Sequence, residues 1–220
     1  MISHPQNPSI LPVLATACIM ENMLSIVQAP NSVLAQVAKP VAKIDKTLLG
    51  LLREMVISLE GATDPEGVGL AAPQIGKSLQ VFIVKYTPDS PISTFINPKI
   101  ESFFDEENPT KSHPTRQSKT TAKAKKKSGI EKGVQLEGCL SIDKIWGVVK
   151  RHYGVVLSYQ DEHGTQHKRK FEGFMATIIQ HEYDHLQGVL FPKRVLEQNN
   201  QLYRSSKNKK GETEFEEIEL

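Results

Sequence analysis

The chain has 220 residues, of which 39% are hydrophobic and 24% charged, and its formal net charge is only +2. This length and balance indicate a folded protein with one main domain, and the small net charge excludes any argument for nucleic-acid binding from overall charge. Two cysteines do not form a disulfide framework in so long a chain, and no apolar run approaches the roughly 18 residues that cross a bilayer.

The first 22 residues are predicted to form an irregular N-terminal extension, with a start codon placed too far upstream as the alternative. They contain no Lys or Arg, whereas a secretory signal begins with basic residues and an organellar transit peptide is rich in arginine. Residues 1–22 therefore do not support organellar targeting. The regular spacing of apolar residues that indicates secondary structure begins near Met23.

Two helices and four strands are predicted beyond this point. Residues 45–60 have the apolar spacing of an amphipathic helix, with Asp45 as N-cap and Gly61 as stop. A glycine-punctuated loop follows at 67–76. A second helix is predicted at 174–186, ending before Gly188. Alternating runs predict the strands, at 80–86, 94–100, 154–159 and 166–171.

Two polar segments break this pattern. Between Lys111 and Lys132 there are seven lysines and Arg116 against only Glu131, within a basic low-complexity insertion at about 105–133. This insertion is either a charged linker or an electrostatic contact with ribosomal RNA. Residues 196–220 are predicted to be a polar C-terminal tail.

The stretch from Gln180 to His185 carries the strongest chemical signal. Each helical residue turns by about 100°, so His181 and His185 lie on one face and can hold one metal ion. Glu182 sits at the edge of that face, where it can handle a proton on a metal-bound water. Asp184 either orients a neighbouring group or forms a salt bridge. The pattern predicts metal-assisted hydrolysis.

A catalytic metal is commonly held by three protein groups, with one position left for water. Cys139 is the candidate third ligand because it follows Gly138, whose missing side chain allows close approach of backbone or substrate. A cysteine bound to metal is a thiolate. The other cysteine, Cys18, has no such surroundings.

Three segments together resemble the signature motifs of the peptide deformylases, in the order in which that family has them. They are Gly67–Gln74, Glu137–Ser141 and Gln180–His185. The resemblance extends from about residue 23 to 195, which would be the catalytic domain, apart from the insertion. One departure is Asp143, which stands where deformylases usually have proline.

The resemblance implies an α+β fold, with antiparallel β-sheets around a central C-terminal helix that carries the His-Glu-x-x-His metal motif. It implies a hydrolase of protein biosynthesis that removes the formyl group from the N-terminal formylmethionine of newly synthesised polypeptides. One divalent metal would be held by Cys139, His181 and His185, with Fe²⁺ as the native ion and Zn²⁺, Ni²⁺ or Co²⁺ as alternatives. A cytoplasmic, bacterial-type enzyme without membrane contact is expected.

The resemblance also implies a role for each site residue. Glu182 would take the proton of a metal-bound water or hydroxide and later protonate the leaving amine. The Gln74 amide and the Leu140 backbone N–H would stabilise the oxyanion. The peptide would bind along glycines 67, 69 and 138, with the methionine side chain in an apolar pocket; these substrate-binding residues are Gly67, Val68, Gly69, Gly138, Phe174 and Ile178.

Two rival functions remain open from the sequence. A metallopeptidase can use the same helix motif, although its third ligand is typically His or Glu rather than a cysteine. A non-catalytic protein could keep Cys139 and the histidines as a structural metal clip. Glu182 and Gln74 argue against the clip, because neither residue is needed to bind metal.

Overall fold

The computed structural model describes residues 24–105 and 135–219 of the chain. These ranges contain three α-helices, α1 (Lys46–Gly61), α2 (Gly173–Leu186) and α3 (Phe191–Glu197), and two 3-10 helices, Ser32–Ala35 and Ala72–Ile75. They also contain nine strands, which are β1 (Gly69–Ala71), β2 (Val81–Val84), β3 (Ser93–Phe104), β4 (Glu137–Cys139), β5 (Ile142–Gly147), β6 (Gly154–Gln160), β7 (Gln166–Glu172), β8 (Leu202–Lys207) and β9 (Thr213–Glu217).

The strands form two antiparallel sheets. One has five strands in the order β1-β2-β3-β6-β7, and the other has four in the order β4-β5-β8-β9. Every neighbouring pair within each sheet is antiparallel. This mixed architecture confirms the predicted combination of helices with antiparallel sheets.

The five-stranded sheet is covered on both faces where β1 and β2 lie. Phe82 and Val84 belong to the core cluster that contains Ile179 of α2, whereas Val81 and Ile83 belong to the cluster that contains Met55 of α1. Because successive strand residues point to opposite faces, both sets are buried and β2 is an unbroken apolar run. Helix α2 is thereby fixed against the sheet.

Most predicted elements are found close to their expected bounds. Helix α1 begins after Asp45, whose side chain accepts hydrogen bonds from the backbone N–H of Thr47 and Leu48, as an N-cap should. Helix α2 spans Gly173–Leu186 and ends before Gly188, whose φ of +67° favours glycine. Residues 67–76 are more ordered than the predicted loop, since they contain β1 and a 3-10 helix.

The region after α2 was predicted least well. Residues 196–220 were expected to form a polar tail, but the structure has the antiparallel hairpin β8–β9 at 202–217. Helix α3 precedes it and contributes Phe191 and Val195 to a third cluster, together with Cys139 and Leu202. We call residues 202–217 the C-terminal hairpin.

Two of the sequence predictions concern residues beyond the described ranges. The irregular extension at 1–22 lies entirely outside them, as does the basic insertion except for Asp105, which is exposed. Among the helices within the described ranges, none has the length and apolarity that crossing a membrane requires.

Candidate metal centre

Three metal-binding side chains converge where α2 meets the end of β4. The ligand atoms of Cys139, His181 and His185 all lie within 4.8 Å of one another. The Cys139 sulfur is 3.2 Å from Nε2 of His185, and the two imidazole rings are 5.0 Å apart between centroids. The residues predicted as ligands are therefore brought together, although they come from two separate parts of the chain.

The amphipathic character of α2 places the two histidines. Ala176, Ile179 and Leu186 are completely buried and hold one side of the helix in the core. His181 and His185, one turn apart, are left on the side that approaches β4. Cys139 ends β4, at a register shift between Gly138 and Cys139 in the pairing with β5.

The donor set fits a divalent metal ion. One thiol and two imidazoles are ligands that zinc, iron, cobalt and nickel accept. Within the described ranges, Nδ1 of His185 and Oε2 of Glu182 are buried without a hydrogen-bond partner. Buried polar atoms normally have partners, so two unpartnered ones beside three ligands are typical of a site that binds an ion and solvent.

A short hydrogen bond orients His181. Its Nδ1 lies 2.6 Å from Oε1 of Glu137. Because a carboxylate can only accept, Nδ1 carries a proton, and the neutral imidazole presents Nε2 to a metal. This is the usual way in which a carboxylate fixes the tautomer of a ligand histidine.

Glu137 is in turn held by Arg151. The guanidinium donates to both carboxylate oxygens, at 2.7 and 3.0 Å, and also to Asp184 at 2.6 Å. Asp184 accepts two further bonds from Arg194, at 2.7 and 3.1 Å. Both roles considered for Asp184 are thus realised, because its salt bridges also position the arginine behind Glu137.

Burial and these charges shift the pKa values of the site in the metal-free protein. Burial raises the pKa of Glu182 to about 7. Burial would lower the pKa of His181, but the Glu137 carboxylate and the Cys139 sulfur outweigh it and hold that pKa well above its ordinary value. Burial and the neighbouring His181 keep the pKa of His185 well below its ordinary value.

Gln74 lies beside the sulfur, in the 3-10 helix that follows β1. Its carbonyl oxygen accepts from the backbone N–H of Ala71 at 2.8 Å, which fixes the orientation of the buried amide. The amide nitrogen then points towards Cys139 Sγ, at 3.5 Å, and Ser141 Oγ, at 3.3 Å. Leu140 occupies the tight turn between β4 and β5, next to the same ligand.

Two of the predicted glycines permit close packing at the centre. A Cβ added at Gly69 would collide with the Glu182 carboxylate, and one added at Gly138 would lie 2.7 Å from the ring of Trp146. At Gly67 the added atom would meet Leu59 at 2.7 Å. The first contact shows that the β1 backbone passes directly beside the acid, and the second that the Trp146 ring packs directly on the ligand strand.

The three predicted pocket residues share one apolar neighbourhood. Ile178 is buried in the cluster between α2 and the five-stranded sheet, and Val68 and Phe174 pack against that cluster. Tyr86 adds an aromatic ring 6.0 Å from that of Phe174. An apolar surface therefore adjoins the helix turn that carries His181.

Comparison with known proteins assigns the family. The family model for polypeptide deformylase matches residues 23–201. The chain belongs to the polypeptide deformylase family. Among its deformylase relatives, peptide deformylase 2 of Prochlorococcus marinus (strain MIT 9313) is 37% identical over 172 residues, which cover 77% of this chain and 72% of that protein. Peptide deformylase of Synechocystis sp. is 37% identical over 168 residues, covering 75% of each.

Solved deformylase structures have the same fold. The peptide deformylase of Synechococcus elongatus, in complex with actinonin, superposes with a TM-score of 0.62 and 32% identity, over 79% of this chain and 80% of that one. The Thermotoga maritima deformylase gives a TM-score of 0.61 and 30% identity, over 78% and 97%. The combination of helices with antiparallel sheets, which the sequence resemblance implies, is therefore confirmed as the deformylase fold.

Part of the centre was not predicted from the sequence. Glu137 was expected only as the first residue of a motif, and neither Arg151 nor Trp146 was predicted to lie at the site. The position of Glu137 could have indicated its role, because it lies two residues before Cys139 on a strand and so points to the same face. Arg151 and Trp146 have no such signal, since only the folded chain brings them to the site.

Proposed function

We propose that this chain removes the formyl group from the N-terminal formylmethionine of newly synthesised polypeptides. The observation that carries the proposal is the position of Glu182, an unpaired buried acid beside three metal ligands in a member of the deformylase family. Residues 23–195 would form the catalytic domain. The sequence similarity to bacterial deformylases favours a cytoplasmic location.

Cys139, His181 and His185 would hold the metal ion. When bound, a divalent ion supplies a Lewis acid that lowers the pKa of a water molecule and polarises a carbonyl group. The sulfur and two nitrogens suit borderline metals, so we propose Fe²⁺ as the native ion and Zn²⁺, Ni²⁺ or Co²⁺ as substitutes. Glu137 would keep His181 in the tautomer that binds.

Glu182 would move the proton. Its carboxylate takes a proton from the attacking water and delivers it to the nitrogen of the departing methionyl amine. Burial raises its pKa to about 7 in the metal-free protein, which brings the acid close to the pH at which proton exchange in both directions is efficient. Gly69 allows the backbone to pass beside this carboxylate without displacing it.

Two donors would stabilise the negative charge that develops on the formyl oxygen. Gln74 is held by Ala71 with its amide nitrogen turned towards Cys139, and the Leu140 backbone N–H follows that ligand in the chain. Each donor of this kind contributes about 3 kcal/mol to lowering the barrier. The burial of Gln74 strengthens its contribution, because water does not compete.

The substrate would lie along the glycine-containing segments. Backbone groups of Gly67, Gly69 and Gly138 would pair with a peptide in an extended conformation. The methionine side chain would enter the apolar surface of Val68, Phe174 and Ile178. His181 would form one wall of that pocket.

Hydrolysis of formyl-Met-Ala-Ser, compared with Met-Ala-Ser, tests the proposal and its metallopeptidase rival together. We expect release of formate from formyl-Met-Ala-Ser and no cleavage of the peptide bonds in either peptide. Cleavage of Met-Ala-Ser would favour a metallopeptidase. Tight metal binding without turnover of either peptide would favour a structural metal clip.

We also propose an electrostatic contact with the ribosome, through the lysine-rich insertion or the C-terminal residues. The support is the local excess of seven lysines and Arg116 over Glu131 between positions 111 and 132. Such a cluster binds RNA phosphates by releasing counterions. Deleting residues 108–132 should weaken ribosome binding and flatten its salt dependence, and an unchanged salt slope would contradict the contact.

A further inference from the structure

A cavity of about 190 Å³ opens beside the metal ligand Cys139. Its lining combines apolar side chains with charged ones such as Asp143 and Lys144, and the C-terminal hairpin forms one wall. The residues on which the argument depends are Pro65, Cys139, Ile142, Trp146, Ser205 and Lys207. The space is smaller than the roughly 300–1,000 Å³ of pockets for drug-sized ligands, so it suits one amino-acid residue.

Trp146 is the largest side chain in this wall, and the hairpin holds it in place. Its indole Nε1 donates to Ser205 Oγ at 3.1 Å. The ring of Phe215 meets it edge-on, with 5.9 Å between centroids and an interplanar angle of 85°. The opposite side of the indole fits against Gly138, where a Cβ would lie only 2.7 Å away. The indole is therefore fixed between the ligand strand and the hairpin.

The hairpin also reaches the loop on the other side of the cavity. Lys207 Nζ lies 3.8 Å from Asp64 Oδ2, so an ion pair at the surface spans the opening. The loop that contains Asp64 continues through Gly67 to Gly69, and Gly69 lies beside Glu182. The cavity thus adjoins Cys139 and lies between the C-terminal hairpin and the loop that leads to Gly67.

We propose that the C-terminal hairpin is a substrate-binding element, and that Trp146 forms the wall that receives the side chain following formylmethionine. This inference rests on the proposed deformylase function. Trp146, Ile142 and Pro65 present apolar surface, so a leucine or an aromatic residue at the second peptide position is favoured over glycine. Ser205 and Phe215 are positioning residues that act through the indole.

Kinetic selectivity of the metal-loaded enzyme tests the assignment. The quantity is the ratio of kcat/KM for formyl-Met-Leu-Ser to that for formyl-Met-Gly-Ser. We expect this ratio to be well above one in the wild type and to fall by about tenfold in Trp146→Ala. Trp146→Phe should keep most of the wild-type ratio, because an apolar wall discriminates between side chains by contact. Ser205→Ala should lower the ratio partly, and Ser205→Thr should restore it.

Arg204→Ala is the matched control, because Arg204 is the exposed neighbour of Ser205 on β8 and does not line the cavity. It should keep the wild-type ratio. Circular dichroism and thermal unfolding of each variant separate loss of the wall from loss of the fold. An unchanged ratio in a folded Trp146→Ala variant would overturn the proposal.

Trp146 also provides a readout that needs no turnover, because it is the only tryptophan of the chain. Titration with the product peptide Met-Leu-Ser should shift its fluorescence emission saturably, whereas Met-Gly-Ser should shift it far less. A wild type that responds in this way but hydrolyses neither formyl peptide overturns the deformylase function alone. One that hydrolyses both peptides with equal kcat/KM and shows no shift overturns the hairpin assignment alone.

Discussion

Glu182 has an environment that a surface acid cannot have. It is 3% exposed, the unsubstituted backbone of Gly69 lies beside it, and one of its oxygens has no partner among the described residues. Burial of an unpaired carboxylate costs free energy, and folding tolerates that cost at functional sites. This environment suits the proton transfer proposed for Glu182, because no salt bridge from the described part of the chain holds its carboxylate.

Glu182→Gln should lower kcat for formyl-Met-Ala-Ser by roughly 10²- to 10⁴-fold, because the amide keeps the shape of the acid but cannot carry the proton. Bound metal should be unchanged, since none of the three ligands is altered. Steady-state kinetics with metal analysis of the same sample checks both expectations. Glu60→Gln, which alters a surface acid paired with Lys85, serves as the control. Wild-type kcat in Glu182→Gln would refute the role.

Glu137→Gln should weaken metal binding by about 10- to 100-fold, as expected when the carboxylate behind a ligand histidine is lost. The neutral amide no longer enforces the proton on Nδ1 of His181, and the Arg151 guanidinium loses one of its two charged partners, keeping Asp184. Competition with a chelator measures the affinity. Glu197→Gln, which alters a half-exposed acid paired with Arg194, should leave it unchanged. Equal affinities in the two variants would contradict the role of Glu137.

At the scale of elements, the turn between β6 and β7 shows how one side chain organises a hairpin. Asp161 accepts hydrogen bonds from the backbone N–H of His163 and Thr165, both at 2.9 Å. It also lies 2.7 Å from Nε2 of His167. Burial would raise the pKa of Asp161, but these three partners outweigh it and lower that pKa below its ordinary value of 3.8.

Asp161→Asn should therefore destabilise the protein by about 1 kcal/mol at neutral pH. This value is smaller than that of a fully buried hydrogen bond to a charged group, because Asp161 is partly exposed. A carboxyl group whose pKa is lower in the folded than in the unfolded protein stabilises the fold at pH values above its unfolded-state pKa. This stabilisation is lost as the pH falls through the folded-state pKa. The difference from wild type should thus disappear in acid, below pH 3.8.

Denaturant unfolding between pH 2 and pH 7 (about the range over which a carboxyl titrates) measures this pH dependence. Asp89→Asn, which alters an exposed acid in the β2–β3 connection, is the control and should match the wild type throughout. A stability difference for Asp161→Asn that stays constant down to the lowest pH would show that the charge of Asp161 is not responsible.

Elements with strong periodicity could be predicted from the sequence, and those with weak periodicity could not. Helix α1 combines an aspartate cap with regular apolar spacing, so both its type and its start were evident. The C-terminal hairpin buries only Leu202, Tyr203 and Phe215, and its other residues are polar and either partly buried or exposed. Such a segment has the amino-acid composition of a solvated tail, because composition does not indicate that β8 pairs with β5.

At the scale of the whole molecule, the metal centre joins two separately packed units. His181 and His185 belong to a helix that packs on the five-stranded sheet, whereas Cys139 ends a strand of the four-stranded sheet. The buried bridge from Glu137 through Arg151 to Asp184 spans the same junction. The motifs predicted that these three side chains lie together, as they do. The contacts that support them join distant residues, which no local pattern encodes.

The most direct test is to measure bound metal and deformylation together. Wild type and Cys139→Ala would be purified without oxygen, stripped of metal and titrated with Fe²⁺, with formyl-Met-Ala-Ser as substrate. We expect wild-type activity to rise in proportion to bound iron up to one ion per chain, and Cys139→Ala to lose both tight binding and activity. Full hydrolysis by the metal-free protein, or by Cys139→Ala, would contradict the assignment of the centre.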